Sequence, residues 1–187
     1  MSATPAAVSA HFPDHTPQTA PEAARPMMAG ITKHFGYLPS AVARMATSPQ
    51  ALEGFQRANA AFGATSLDPL SREVVVLTVA TRNECHLCVA MHTAVLTGLD
   101  ADPVLIAALR EQRPLPDARL EALRVFAVEL VESRGAVDPQ VMDAFLAHGY
   151  TPQNALEVVL GVGVYTISTL ANRLTGAPVD EAMAQFA

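Results

Sequence analysis

The 187-residue chain is predicted to fold as an all-α, single-domain helical bundle. Three observations carry that prediction. First, a small polar residue followed by proline recurs five times, at Ser48-Pro49, Asp68-Pro69, Asp102-Pro103, Asp138-Pro139 and Thr151-Pro152, each ahead of an apolar-periodic run. The polar side chain accepts free amides of a helix's first turn, and the proline loses nothing because its missing N–H had no intrahelical partner. Second, the run after Asp117 has the helical period, with Leu120, Leu123, Ala127, Leu130 and Val131 on one face and Glu121, Arg124 and Glu132 opposite. Third, no series of segments shows the clear alternation that a sheet would need.

In chain order, residues 1–21 (MSATPAAVSAHFPDHTPQTAP) carry prolines at 5, 13, 17 and 21 and no recurring apolar face. They are expected to form a disordered Pro/Ala-rich tail with solvated His11 and His15, leaving 22–187 as the helical domain. The stretch Glu73–Thr81, EVVVLTVAT, has the β-branched content of a buried strand. Its capped start at Asp68-Pro69 and the fifteen residues from Pro69 to Asn83 favour a helix instead. A further helix opens near Cys85, and others follow Asp102, Asp117 and Asp138. From Pro152 to about Leu174 the chain is apolar nearly all round, predicting a central buried helix that Gly176-Ala-Pro178 stops.

Half of the residues are apolar and 16% are charged, so a packed core is favoured over disorder. Mean hydropathy is +0.24, and the apolar surplus is Ala, Val and Leu, which suits tightly packed helices and a buried interface between copies of the chain. A homo-oligomer is therefore expected. The formal charge of -6 leaves no basic stripe to neutralise phosphates, so nucleic acid is not an expected partner. No apolar run reaches the roughly 18–20 residues of a membrane span without a charge or turn signal inside it. The N-terminus has no basic segment followed by an apolar stretch, which predicts a cytoplasmic protein that does not engage a membrane. Stray disulfides are rare in that compartment. Against that background, the two cysteines, Cys85 and Cys88, carry most of the information.

They lie in Asn83-Glu-Cys-His-Leu-Cys-Val-Ala-Met-His92. In a helix opening near Cys85, Cys85 and Cys88 stand one turn apart on one face, and His92 one turn beyond Cys88. Cα separation at i, i+3 falls in the window for a disulfide, so the pair can cycle between dithiol and disulfide without backbone rearrangement. The partial positive charge of the helix N-terminus favours a thiolate at Cys85, while hydrogen bonding to His92 favours one at Cys88. His92 is placed to exchange a proton with Cys88.

Glu73, eleven residues, Cys85-x-x-Cys88, three residues and His92 together form a pattern that resembles the core motif of alkylhydroperoxidase D-like proteins, within the carboxymuconolactone decarboxylase superfamily. The likeness covers roughly residues 35–110 and continues more weakly through YTISTLANRLTGAPVD near the C-terminus. It implies an all-α bundle assembled into trimers or hexamers. The implied activity is reduction of a small hydroperoxide by the cysteine pair, recycled by a dithiol or redox-protein electron donor, with no cofactor and no metal. It also implies Cys88 as the peroxide-reactive thiol, Cys85 as its resolver, and Glu73 and His92 as a proton relay. One departure stands out. Well-known members carry a histidine immediately before the second cysteine; this chain has Leu87, and His86 lies one place earlier, about 100° away around the helix.

Other readings of the same residues stay in play. Cys85, Cys88, His92 and either Glu73 or His86 could ligate zinc, or the cysteines could be inert core residues. A c-type haem is excluded, because Val89 stands where its histidine would be. Alternative functions are a cofactor-free decarboxylase of the carboxymuconolactone type, whose chemistry needs no redox pair, and a non-enzymatic redox-sensing or metal-binding protein. His148 is expected at a helix C-terminus. Tyr165, Asn172 and Arg173 line a pocket or form a buried polar network at a subunit seam.

Overall fold

A computed structural model describes residues 6–187; positions 1–5 of the expected tail lie outside the described residues. Among the described residues ten α-helices follow one another: α1 (Ala6–Ser9), α2 (Arg25–Phe35), α3 (Ser40–Met45), α4 (Pro49–Gly63), α5 (Pro69–Arg82), α6 (His86–Gly98), α7 (Pro103–Arg110), α8 (Ala118–Glu132), α9 (Pro139–Ala147) and α10 (Pro152–Thr175). Short 3-10 turns cover Glu22–Ala24 and Glu181–Phe186. Among the described residues there is no strand, and the chain is all-α. In the described part of the tail, Asp14 accepts a bond from Arg44 at 2.7 Å and Ala20 is buried.

The five polar-proline pairs each open a helix. Ser48, Asp68, Asp102, Asp138 and Thr151 all accept a first-turn amide, with proline in that turn. Asp117 caps α8 in the same way through the amide of Leu120. His148 caps α9, where its Nδ1 meets the Ala144 carbonyl at 2.8 Å. Helices α2 and α3 carry no such sign, because Ala24 and Pro39 precede them without a side-chain cap.

The ambiguous stretch 73–81 is helical, and the packing shows why. Every residue from Val74 to Thr81 is buried, since α5 is surrounded by α6, α7, α8 and α10. The hydroxyls of Thr78 and Thr81 return to the Val74 and Leu77 carbonyls, at 2.7 and 2.9 Å, so no polar atom on these branched side chains is stranded.

Two expectations of burial are corrected. On α8, Val131 is 42% exposed, while Phe126 is buried and stacks on Phe145 of α9 at 4.3 Å. The helix packs against both α5 and α9, so its buried face widens toward Phe126. On α10 only one side is buried. Val158, Gly161, Val164, Tyr165, Ser168 and Asn172 face inward, whereas Leu156, Val159, Ile167, Leu170 and Leu174 are exposed. By length and composition alone α10, with a mean hydropathy of 1.4 over its most apolar window, could cross a membrane, yet it packs along α4 and α5. Gly161 permits that approach: a Cβ there would lie 2.5 Å from the Phe62 ring and 3.1 Å from Val75.

Candidate active site

The site lies where α5, α6 and α10 meet. The chain leaves α5 at Asn83, turns through Glu84 in the left-handed region (φ 51°), and enters α6 with Cys85 as the N-cap. Cys85 thus does what Asp or Ser does at the other helix starts: its Sγ accepts the amide of Cys88, at 3.4 Å. That cap brings the two sulfurs to 2.6 Å with an S–H shared between them, and both residues are at least 97% buried.

The two sulfurs have unequal environments. The Cys85 thiol is held below its ordinary range, chiefly by the hydrogen bond from Cys88 and further by the capped amide, Asn172 and the nearby Arg173 charge; burial opposes this without prevailing. Cys88 is pushed up, by the bond to Cys85, by burial and by the charge on Cys85, with Asn172 and Ser168 pulling the other way. The first proton therefore leaves the pair from Cys85. Arg173 is fixed beside this loop by its bond to the Asn83 carbonyl and a 3.2 Å ion pair with Glu84.

Glu73, in the first half of α5, and His92, two turns into α6, meet directly: Glu73 Oε2 lies 2.7 Å from His92 Nδ1. The carboxylate can only accept, so Nδ1 carries the proton and Nε2 is the nitrogen left for exchange. Both side chains are only slightly exposed, 13% and 11%. The ring of Tyr165 stands edge-on to His92 at 5.0 Å, and its hydroxyl donates to Asn59 at 3.0 Å. From α10, Asn172 Nδ2 donates to Cys88 Sγ at 3.3 Å, and Ser168 Oγ sits 3.9 Å from the same sulfur.

Cys88, His92 and Glu73 border a cavity of about 470 Å³. Its remaining walls are mostly apolar and come from α2 (Ile31, Phe35), α3 (Val42, Met45), α4 (Leu52, Phe55) and α6 (Leu87, Met91, Val95), with Tyr165, Ser168 and Asn172 from α10. Cys85 is not among the lining residues and lies behind Cys88. His86 is exposed and away from the cavity, so the position preceding the second cysteine offers only Leu87, an apolar wall. Among the described residues no three His, Cys, Asp or Glu side chains stand together as a metal-ligand set.

Sequence reasoning reached Glu73, Cys85, Cys88 and His92, and it flagged Tyr165 and Asn172. It missed Ser168, Asn59 and the walls from α2 to α4. A readable signal for Ser168 existed: with Tyr165 and Asn172 it forms a polar i, i+3, i+7 row on an otherwise apolar helix.

The helical fold is that of solved AhpD-like proteins. Residues 41–132, just under half of the chain, match the model of the carboxymuconolactone decarboxylase family. The match starts six residues after the expected likeness and runs on through α8. No curated protein sequence matches the chain. A peroxidase-related protein from Ralstonia eutropha JMP134, described as an alkylhydroperoxidase AhpD core, superposes with a TM-score of 0.80 at 19% identity, over 92% of this chain and 93% of that one. A peroxidase-related protein from Silicibacter sp. TM1040 gives 0.79 at 20% identity, with both chains fully covered. The debrominase Bmp8, in complex with 2,3,4-tribromopyrrole, gives 0.68 at 15% identity, over 86% and 87%.

Proposed function

We propose that the chain reduces a small organic hydroperoxide by means of the Cys85–Cys88 pair and is then re-reduced by an external dithiol. The observation that carries this reading is the placement of Cys88: its sulfur borders the cavity beside the His92–Glu73 pair, with Cys85 Sγ 2.6 Å behind it.

The first proton of the pair leaves Cys85, whose thiol is held below its ordinary range. Passing the Cys88 proton to His92 Nε2 makes Cys88 the nucleophile. Its thiolate attacks the terminal peroxide oxygen: an S–O bond forms, the O–O bond breaks, and the alkoxide leaves with a proton from His92 as the alcohol. Cys88 is then a sulfenic acid. Cys85 thiolate attacks the Cys88 sulfur, closing the disulfide and expelling hydroxide, which is protonated to water. The external dithiol reopens the disulfide by exchange. Glu73 fixes the tautomer of His92 throughout.

Thiol titration tests this. Wild type should lose both thiols per chain on adding tert-butyl hydroperoxide. Cys88→Ser should lose none, and Cys85→Ser should stop at a sulfenic acid. Loss of the Cys85 thiol in Cys88→Ser at the wild-type rate would refute the assignment.

A second reading is favoured by the aromatic cavity walls Phe35, Phe55 and Tyr165 and by the likeness to a debrominase. In it, Cys88 thiolate takes bromine from an electron-rich aryl bromide, the ring gains a proton, and Cys85 displaces bromide as the disulfide closes. Bromide release from a bromopyrrole, with no peroxide consumption, would select it.

A further inference from the structure

Asn172 is 4% exposed, yet only half of its amide is satisfied. Its Nδ2 donates to Cys88 Sγ at 3.3 Å and to Ser168 Oγ at 3.4 Å. Its Oδ1 is sealed from solvent and has no hydrogen-bond partner. Buried polar atoms nearly always have one, and a lone acceptor beside a reactive sulfur calls for a donor that arrives later. The same amide also helps to hold the Cys85 thiol low, so its donor side serves the cysteine pair while its acceptor side stays unused.

The oxidation states of Cys88 differ in what they ask of their neighbours. A thiolate accepts and donates nothing. A sulfenic acid, S–O–H, adds one strong donor a bond length away from the sulfur. Asn172 presents a donor already aimed at the sulfur and an unused acceptor on the same amide carbon. We propose that Asn172 is a further catalytic residue, whose Nδ2–H holds the Cys88 thiolate before attack and whose Oδ1 receives the O–H of the Cys88 sulfenic acid after it.

This proposal rests on the peroxide-reducing reading above. The step it serves is the S–O bond formation and O–O cleavage already described. Asn172 takes no proton and forms no bond; it supplies a hydrogen bond on each side of the step. The other polar and ionisable groups around Cys88 are Cys85, His92 with its Glu73 partner, Tyr165 and Ser168, while Arg173 is turned to Asn83 and Glu84. Of these, Ser168 and Asn172 reach the Cys88 sulfur from α10, and both act to lower the Cys88 pKa against burial and Cys85.

The test uses a Cys85→Ser background, which removes the coupled thiol and the resolving step while serine keeps the helix cap. Within it, Asn172→Ala deletes donor and acceptor, and Asn172→Asp keeps two acceptor oxygens but loses the donor. Circular dichroism checks folding, and if only one variant folds, that one decides.

The pH dependence of Cys88 alkylation by iodoacetamide reads the thiolate. Asn172→Ala should raise the Cys88 pKa by about one to two, a roughly 10- to 100-fold loss of thiolate at neutral pH. Asn172→Asp should raise it further, because a carboxylate opposes a neighbouring negative charge. Dimedone trapping after one equivalent of tert-butyl hydroperoxide reads the sulfenic acid. Its lifetime should fall about tenfold in Asn172→Ala and be retained in Asn172→Asp.

An unchanged Cys88 pKa in a folded variant overturns the donor role, and equal sulfenic acid lifetimes in both variants and their parent overturn the acceptor role. Absence of any sulfenic acid in the Cys85→Ser parent, with the pKa shifts present, instead overturns the peroxide reading and the acceptor role with it, while the donor role stands.

Discussion

Replacing Glu73 by glutamine is the sharpest single perturbation of the site. The Oε2–Nδ1 distance is 2.7 Å and both side chains are only slightly exposed, so the loss of the carboxylate falls directly on His92. Glutamine keeps the shape and offers either of two wrong arrangements. If its amide N–H points at Nδ1, the proton moves to Nε2, and His92 can no longer take one there; if its carbonyl points there, the geometry holds without the charge. A positioned acid–base group is worth about 10²–10⁴ in rate, or about 2.7–5.4 kcal/mol of barrier. Thiol oxidation by tert-butyl hydroperoxide should slow by that factor. Stability should fall less dramatically. A hydrogen bond to a charged group contributes about 1.5–3 kcal/mol, and a domain of this size loses roughly 2–4 °C of Tm per kcal/mol, so Tm should drop by about 3–12 °C. Stopped-flow loss of free thiols, paired with a thermal melt, measures both. A folded Glu73→Gln protein that oxidises at the wild-type rate would refute the relay and leave Glu73 as a structural partner of His92.

Further outcomes follow from the rest of the molecule. Peroxide-treated protein digested without reductant should yield one peptide containing both Cys85 and Cys88, lighter by two hydrogens, and reduction should restore it. Partial burial works against the charge of Glu157, but the Ser66 amide, Gln153, Asn154 and the Ser66 hydroxyl hold its pKa down to about 2. A depressed carboxylate stabilises the fold above its unfolded pKa near 4.5 and loses that contribution as pH falls toward 2. Acid unfolding of Glu157→Gln should therefore lack part of the wild-type loss between those limits, and identical acid limbs would contradict the assignment. Gly161→Ala drives a Cβ to 2.5 Å from the buried Phe62 ring, and such overpacking should cost about 1–3 kcal/mol, or about 2–12 °C in a thermal melt. The exposed residues Leu156, Val159, Gly163, Ile167, Leu170 and Leu174 of α10 recur at three- and four-residue steps, a seam that we propose meets a second copy of the chain. Light scattering should show an oligomer that Ile167→Glu with Leu170→Glu reduces to the 19.7 kDa monomer, and a monomeric wild type would dismiss the seam.

Much of the fold was legible because helix starts are a local matter. Ser48, Asp68, Asp102, Asp117, Asp138 and Thr151 reach only two or three residues along the chain, and each opens a helix where its side chain says it should. The motif around Cys85 is local too, since i, i+3 and i+7 on one helix fix Cys85, Cys88 and His92 relative to one another. Helices α2 and α3, lacking capped starts, gave no such signal, and with them the outer cavity walls stayed hidden.

The sequence by itself therefore determined an all-helical chain with a dithiol at a helix start and a histidine one turn further on. It could also pair Glu73 with that histidine as an idea, but the two residues belong to different helices, and nothing in their spacing fixes how those helices cross. Only the packing of α5 against α6 decided that they touch directly, at 2.7 Å. Tertiary structure likewise decided which sulfur borders the cavity, because α10 lays Ser168 and Asn172 against Cys88 while the turn through Glu84 keeps Cys85 behind it. Burial was decided the same way: α10 is apolar nearly all round, and the places of α4 and α5 determine which side meets the core. Local capping and periodicity act over one or two turns, whereas the approach of distant helices is the outcome of packing the whole core at once.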